Sequence, residues 1–377
     1  MVTIYLFLIV LYPGLMFLLL RLWVKSKPIT PNCNTVKLEE KVSLLLPLRD
    51  ELLNIEFLFL SVSQLSYRPL ELLVIDDHSS DGGIALLESL IAAHPKEGLE
   101  WKVIKNPGQG KKAALTAGIG IALGEYIFTT DADCTFPEHW IENMLKPFSD
   151  FRVQMVAGPV LSNKGLTFFE SFQQIEWASI LAVTQAGFAL GRPLMCSAAN
   201  MAYRKSAFLA VNGYAGNDRQ LSGDDEFLLK KLVKAYGPLS VAYVKSPQAL
   251  VLTKPHSGVK DFWMQRVRWS SKWKAHKDFV HVVSSVLPVL LQSLFIISPL
   301  IIFDGLYGFF AVSLLWLSKI TAEKVLLGRV LASFSMHHPL KKHVLTSLVH
   351  PFYVLVVAFG AIFGKFVWKG RSSEDIR

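Results

Sequence analysis

The apolar residues of this chain follow two regimes. At both ends they run on almost without polar interruption, and between the ends they come in short bursts separated by polar stretches. Residues 2–20 carry no charge and approach the roughly 20 residues a helix needs to cross a bilayer. A cleaved leader would show a basic start and a small-residue cleavage site, and neither is present, so an uncleaved anchor over residues 1–24 is expected. Arg21, Lys25 and Lys27 follow directly and put the next segment on the cytoplasmic side. Toward the other end, residues 282–303 and 344–364 are again long enough to span. Residues 305–318 are shorter and read as a tilted span, half a hairpin or an interfacial helix. The basic residues at 319–343 and 365–371 would fall on opposite sides if every stretch crossed, so one stretch is expected to be re-entrant or interfacial. The region 281–368 is therefore expected to hold two to three spans, with a short tail at 369–377.

In the middle the pattern changes. Residues 42–46, 70–75, 101–104 and 126–130 are short apolar runs bounded by polar or turn residues, the mark of buried strands. Residues 52–65, 82–93 and 111–123 have helical patterns between them. Strands alternating with helices predict an α/β fold with a mostly parallel sheet, spanning about residues 40–257. Ligands in such sheets bind at the carboxyl ends of the strands. Composition agrees with a membrane protein carrying one such domain: 51% of the 377 residues are hydrophobic and 18% charged, against roughly 25% charged in an average soluble domain. The net charge of +9 fits basic cytoplasmic loops, and neither zinc-ligand spacing nor a basic helix points to nucleic acid. Cys33, Cys134 and Cys196 are far apart and odd in number, which fits a reducing compartment.

Chemistry-bearing residues collect at the predicted strand ends. Asp76-Asp77-His78-Ser79-Ser80-Asp81 follows the second strand, where Asp81 is also suited to cap the next helix. Asp131-Ala132-Asp133 follows the fourth; carboxylates one residue apart on a turn can share a hard cation such as Mg²⁺ or Mn²⁺ with a substrate diphosphate. Gly108-Gln109-Gly110-Lys111-Lys112 opens a helix whose free N–H groups and lysines suit a phosphate, although the Walker A spacing is missing. Gly223-Asp224-Asp225-Glu226 opens another. The helix dipole explains one acid there but not three that repel each other, and a crowded carboxylate can serve as a general base. Gln265-Arg266-Val267-Arg268-Trp269 lies in an aromatic and basic interfacial segment, residues 258–280, next to the first C-terminal span.

In this order and spacing, and together with Pro47-Leu48-Arg49-Asp50-Glu51, the motifs resemble the membrane-bound family 2 glycosyltransferases, which include synthases of cellulose, chitin, hyaluronan and poly-N-acetylglucosamine and the ceramide glucosyltransferases. The resemblance covers about residues 42–275 and implies a GT-A fold. It implies inverting transfer from a nucleoside-diphosphate sugar, with UDP the expected carrier and a divalent metal as cofactor. It further implies that Glu51 and Asp77 contact the nucleoside and that Lys111 lies near base or phosphate. Asp131 would face the nucleotide and, with Asp133, the metal. Asp225 would be the catalytic base beside Asp224, and Arg268 would hold the diphosphate. Asn200, Gln265 and Trp269 would lie on the acceptor side. Asp50 and Asp224 stand where many members carry Asn and Glu. A single N-terminal anchor and a short C-terminal membrane part favour a membrane lipid or lipid-associated glycan as acceptor. The Q-R-V-R-W match favours a growing polysaccharide, and a catalytically silent nucleotide-sugar-binding subunit is the remaining alternative. The expected setting is the cytoplasmic membrane, multi-pass, with the catalytic domain in the cytosol.

Overall fold

The structure, a computed structural model, describes residues 2–25, 40–216, 223–272, 279–364, 367–368 and 371–372. Lys27, Cys33, Ser222, residues 273–278 of the interfacial segment, Lys365, Lys369 and most of the tail lie outside the described residues. In chain order the elements begin with α1 (Val2–Lys25), β1 (Val42–Leu48), α2 (Ile55–Ser63), β2 (Leu70–Asp76), α3 (Gly83–Ala93), β3 (Leu99–Lys105) and α4 (Lys111–Ile121). They continue with β4 (Tyr126–Thr129), β5 (Cys134–Thr135), α5 (Trp140–Leu145), β6 (Met155–Ala157), β7 (Val160–Ser162), α6 (Phe168–Ala189), β8 (Met201–Arg204) and α7 (Lys205–Ala210). Last come α8 (Asp224–Tyr236), β9 (Val241–Tyr243), β10 (Val251–Thr253), α9 (Val259–Ser270), α10 (Phe279–Ile297), α11 (Leu306–Ala332) and α12 (Leu340–Phe363). The chain divides into two compact units, one of Lys27–Asn163 with Gly187–Lys254, the other of Met1–Ser26, Lys164–Ala186 and Pro255–Arg377.

The first unit is built on a seven-stranded sheet of order β3-β2-β1-β4-β8-β6-β9. The four strands read from the sequence run parallel, with Val42 to Leu48 of β1 in register with Leu70 to Asp76 of β2. The sheet is mostly parallel, as expected, and mixed only through β8, which runs antiparallel to both β4 and β6. β1 continues through Pro47 to Leu48, although proline lacks the N–H a central strand needs. Pairing with β4 ends at Leu45, so Pro47 sits where β1 has one neighbour only. Leu45, Leu73, Ile75 and Ile127 of the sheet share a core with Leu115 and Ile119 of α4 and Leu228, Leu229 and Leu232 of α8. A Cβ at Gly118 would come within 2.9 Å of Ile75, which shows how tightly α4 lies on the strands. One acid is spent on architecture. Glu71 is fully buried in β2, where it accepts hydrogen bonds from Ser43 Oγ, the Leu123 N–H and Lys102 Nζ. Burial pushes its pKa up, but those donors outweigh burial and hold it below the usual carboxylate range.

In the second unit α1 packs on α11, α10 on α12, and α12 on α9. Phe7–Lys25, His281–Asp304 and Leu340–Phe363 are long and apolar enough to cross a membrane. The apolar stretch at 305–318 is not a separate element, because α11 continues for 27 residues through Lys319, Glu323 and Arg329. The buried ammonium of Lys319 lies 2.6 Å from Glu323 Oε1 and donates to the Ser347 carbonyl at 2.9 Å. The Tyr12 and Ser347 hydroxyls donate to the same carboxylate, and the Phe295 ring lies 5.3 Å from the ammonium. Two opposite charges one helical turn apart cancel each other, so the helix does not stop where its apolar run does.

Candidate active site

The carboxyl ends of β1, β2, β3 and β4 share one edge of the sheet, and most of the acids singled out by sequence gather there. Asp77, directly after β2, is buried; its Oδ1 accepts from Asn106 Nδ2 at 2.8 Å and from the Gly110 N–H at 2.9 Å. Gly110 has φ +87°, a conformation open to glycine, and starts α4. The end of β2, the loop after β3 and the start of α4 are thus joined through one carboxylate. The Gly110 N–H, one of the N–H groups at this helix start, is occupied by the protein's own acid. Arg49 closes the cluster from β1, with Nη1 3.9 Å from Asp77 Oδ2. The rest of the aspartate turn is also tied down. Asp76 accepts from the Ser79 N–H, and Asp50 from the Ser80 N–H. Asp81 takes both the Gly83 N–H at the start of α3 and the Leu52 N–H.

Lys111, the first residue of α4, reaches Asp131 Oδ1 at 2.5 Å. Burial pulls the lysine pKa down, but the charges of Asp131, Asp224 and Asp225 outweigh it and hold the ammonium firmly protonated. Asp224 and Asp225 open α8 after Gly223, whose φ is +99°. Asp225 is half-buried and oriented by two backbone donors, the Ala198 N–H on Oδ2 at 3.1 Å and the Glu226 N–H on Oδ1 at 2.8 Å. Asp133 Oδ2 accepts from Thr253 Oγ1 at 2.7 Å. Burial, then the Asp131 charge and further off that of Glu51, raise the Asp133 pKa against this hydrogen bond. Glu51 itself accepts from Asn54 Nδ2 at 2.7 Å. Glu51, Asp133, Asp131, Lys111, Asp224 and Asp225 therefore belong to one electrostatic neighbourhood.

Carboxylates gathered at a strand end suit a divalent cation. Among the described residues, no group of three or more His, Cys, Asp or Glu could hold a metal by itself. Asp131 and Asp133 supply hard oxygen donors one residue apart. The remaining positions would fall to diphosphate and water, as is usual for magnesium.

Asn200 does not offer its amide to an acceptor. It is fully buried, with Oδ1 taking Trp140 Nε1 at 2.9 Å and Nδ2 donating to the carbonyls of Pro159 and Ala249, each at 2.8 Å. With all three bonds made, it fixes the loop whose Ala198 N–H orients Asp225. Gln265, Arg268 and Trp269 belong to the other unit, on α9. Gln265 Oε1 accepts from Arg266, and the Trp269 ring packs edge-on to Trp177 at 5.2 Å. Sequence reasoning assigned no role to Arg49, Asn106 or Thr253. Arg49 stood within a quoted motif, whereas Thr253 acts on Asp133 across 120 positions and leaves no local signal.

Residues 43–211 match the family model Glycosyl transferase family 2. The chain is 27% identical over 247 residues to the poly-beta-1,6-N-acetyl-D-glucosamine synthase of Staphylococcus aureus strain COL, covering 64% of this chain and 56% of that protein. It is 28% identical over 255 residues to the synthase of the same description from Staphylococcus epidermidis strain RP62A, covering 66% and 59%. The chain thus spans under two thirds of the length of these curated relatives. Among solved structures, the mannosyltransferase PcManGT of Pyrobaculum calidifontis, in complex with GDP-Man and Mn²⁺, superposes with a TM-score of 0.60. The superposition covers 96% of this chain and 99% of that one at 16% identity, a likeness of fold.

Proposed function

From the premise that this chain carries a family 2 glycosyltransferase domain of GT-A fold, we propose that it transfers a sugar from a nucleoside-diphosphate sugar, UDP-linked, to a hydroxyl of a membrane lipid or lipid-associated glycan, with inversion. The observation that carries the reading is the gathering of Asp131, Asp224 and Asp225 around the ammonium of Lys111 at the sheet's carboxyl edge. In this reading Asp225 takes the proton of the acceptor hydroxyl. The hydroxyl oxygen forms its bond to the anomeric carbon as the bond to the diphosphate oxygen breaks, and the diphosphate leaves with the electron pair. Lys111 and Arg268 stabilise the charge that builds up on the leaving group, and Glu51 and Asp77 shape the nucleoside end. Asp131 and Asp133 would hold a divalent cation, which when bound supplies charge stabilisation to the diphosphate. Gln265 and Trp269 face the acceptor. Candidate spans at residues 7–25, 281–304 and 340–363 support a membrane setting, and the basic residues after the first support a cytosolic catalytic domain.

A second reading, processive polysaccharide synthesis, is favoured by what the staphylococcal relatives are called. One experiment separates the readings. Purified full-length protein is given radiolabelled UDP- and GDP-sugars with Mn²⁺ and a membrane lipid extract, and the products are extracted and sized. A single organic-soluble product supports the lipid acceptor, and a ladder supports the polymer. Nucleotide binding without turnover on any donor would identify a silent subunit and sink both.

A further inference from the structure

We infer that Arg266, with its partner Glu176, is a positioning residue that fixes the register of α9 and so the presentation of Arg268 and Trp269. The inference rests on the roles proposed above for those two residues. Arg266 is 3% exposed, and the contacts of its guanidinium come from three helices. Its Nε and Nη2 donate to the two oxygens of Glu176 on α6, at 3.0 and 2.7 Å, a paired geometry that only a planar guanidinium can make. The Tyr353 hydroxyl on α12 donates to the same carboxylate at 2.9 Å. Rings close the box, with Trp269 at 4.4 Å, Phe262 at 4.5 Å and Trp177 at 5.2 Å from the guanidinium centre.

Such a pair is a poor way to gain stability, because desolvating two charges consumes most of their attraction and well-packed apolar residues do as well. What it provides is a single allowed alignment: a two-toothed hydrogen bond fits at one helix register and no other. Here the alignment is set on α9 itself. The Trp269 ring lies directly on the guanidinium, and Arg268 is two residues further along the same helix. The α9–α12 contact is equally close-fitting, since a Cβ at Gly360 would come within 2.5 Å of Val267 Cγ2. The motif residues proposed for chemistry are thus held by a neighbour that the chemistry does not use.

The test uses full-length protein and two readouts. The pair Val267→Cys/Gly360→Cys reports register through oxidative cross-linking, mapped by mass spectrometry. Cross-link yield should fall severalfold when Arg266→Leu or Glu176→Leu is added, and an unchanged yield overturns the inference. The second readout is turnover in a double-mutant cycle. Arg266→Leu should cost on the order of a hundredfold, the scale of a small misplacement of a reacting group. In an Arg268→Ala/Trp269→Ala background it should add less than about twofold, because it acts through those residues. Fully additive losses would mean general destabilisation and overturn the inference. Arg266→Lys, which keeps charge without the fork, should fall between. If the unmodified protein transfers no sugar from any donor, the functional reading fails and the cross-linking arm alone decides the inference.

Discussion

Two regions of this molecule set a lysine among carboxylates, one closed to solvent and one half-open. Around Lys319 one ammonium pairs with one carboxylate, which accepts from the Tyr12 and Ser347 hydroxyls, while the ammonium donates to the Ser347 carbonyl. The Lys111 ammonium instead faces Asp131, Asp224 and Asp225, with Asp133 and Glu51 in the same neighbourhood. The first set is buried, whereas Asp131 and Asp225 are half-open to solvent. A closed cluster ties helices together. One that reaches solvent can receive a charged ligand, and perturbed groups such as Lys111 and Asp133 gather at functional sites.

The sharpest way to break the comparison is at the half-open site. Asp225→Asn keeps the shape and removes the base, and should lower transfer by up to about 10⁴-fold. Nucleotide affinity measured by calorimetry should hardly move. A variant that turns over normally removes Asp225 from the role. At the closed site the expected loss is of folding. Glu323→Leu leaves Lys319 buried with its main partner gone and should cost about 3–5 kcal/mol, read as a lower unfolding midpoint in detergent. Adding Lys319→Met should restore most of it, and failure to recover would show that the pair does more than cancel charge. Asn200→Ala is intermediate between the two. With three buried hydrogen bonds lost, it should cost about 2–3 kcal/mol of stability, at about 1 kcal/mol each. It should also lower turnover by loosening the loop over Asp225, with donor KM little changed.

The smallest effect belongs to Glu71. Its folded pKa lies below its unfolded value, so its contribution is fully present above the ordinary carboxylate range and is lost as pH falls through the depressed value. Glu71→Gln should therefore flatten the acid limb of a stability–pH profile while changing stability near pH 7 by about 1–2 kcal/mol. An unchanged acid limb would count against the assignment.

The two regions also differ in how far they could be read from sequence. Asp76–Asp77 and Asp131–Asp133 were legible as strand-end acids because each follows an apolar run bounded by turns, and a strand's end is a local property. Lys319 was misread as the start of a basic connecting segment. Its charge is cancelled by Glu323 one turn on, and that carboxylate is held by Tyr12 from across 311 positions; only the first of these can be seen along the chain. Asn200 failed for the same reason, since its partners at 140, 159 and 249 define it and none is a sequence neighbour. Arg266 stood inside the quoted motif, but Glu176, the residue that explains it, is 90 positions away. Mixed sheet topology was hidden too, because β8 carries no mark of its direction.

One contact has a consequence for the conditions this protein requires. With Asp77 seated on the Gly110 N–H, the start of α4 already holds an anion of its own. A donor diphosphate cannot claim that hydrogen bond, as it would in a backbone phosphate cradle, and leans the more on side chains and solution ions for its counter-charge. Under the reading proposed above, donor occupancy becomes hostage to the supply of free divalent cation. Apparent donor affinity should track cation concentration and collapse on chelation, so that ion homeostasis at the membrane governs output as directly as the sugar supply does.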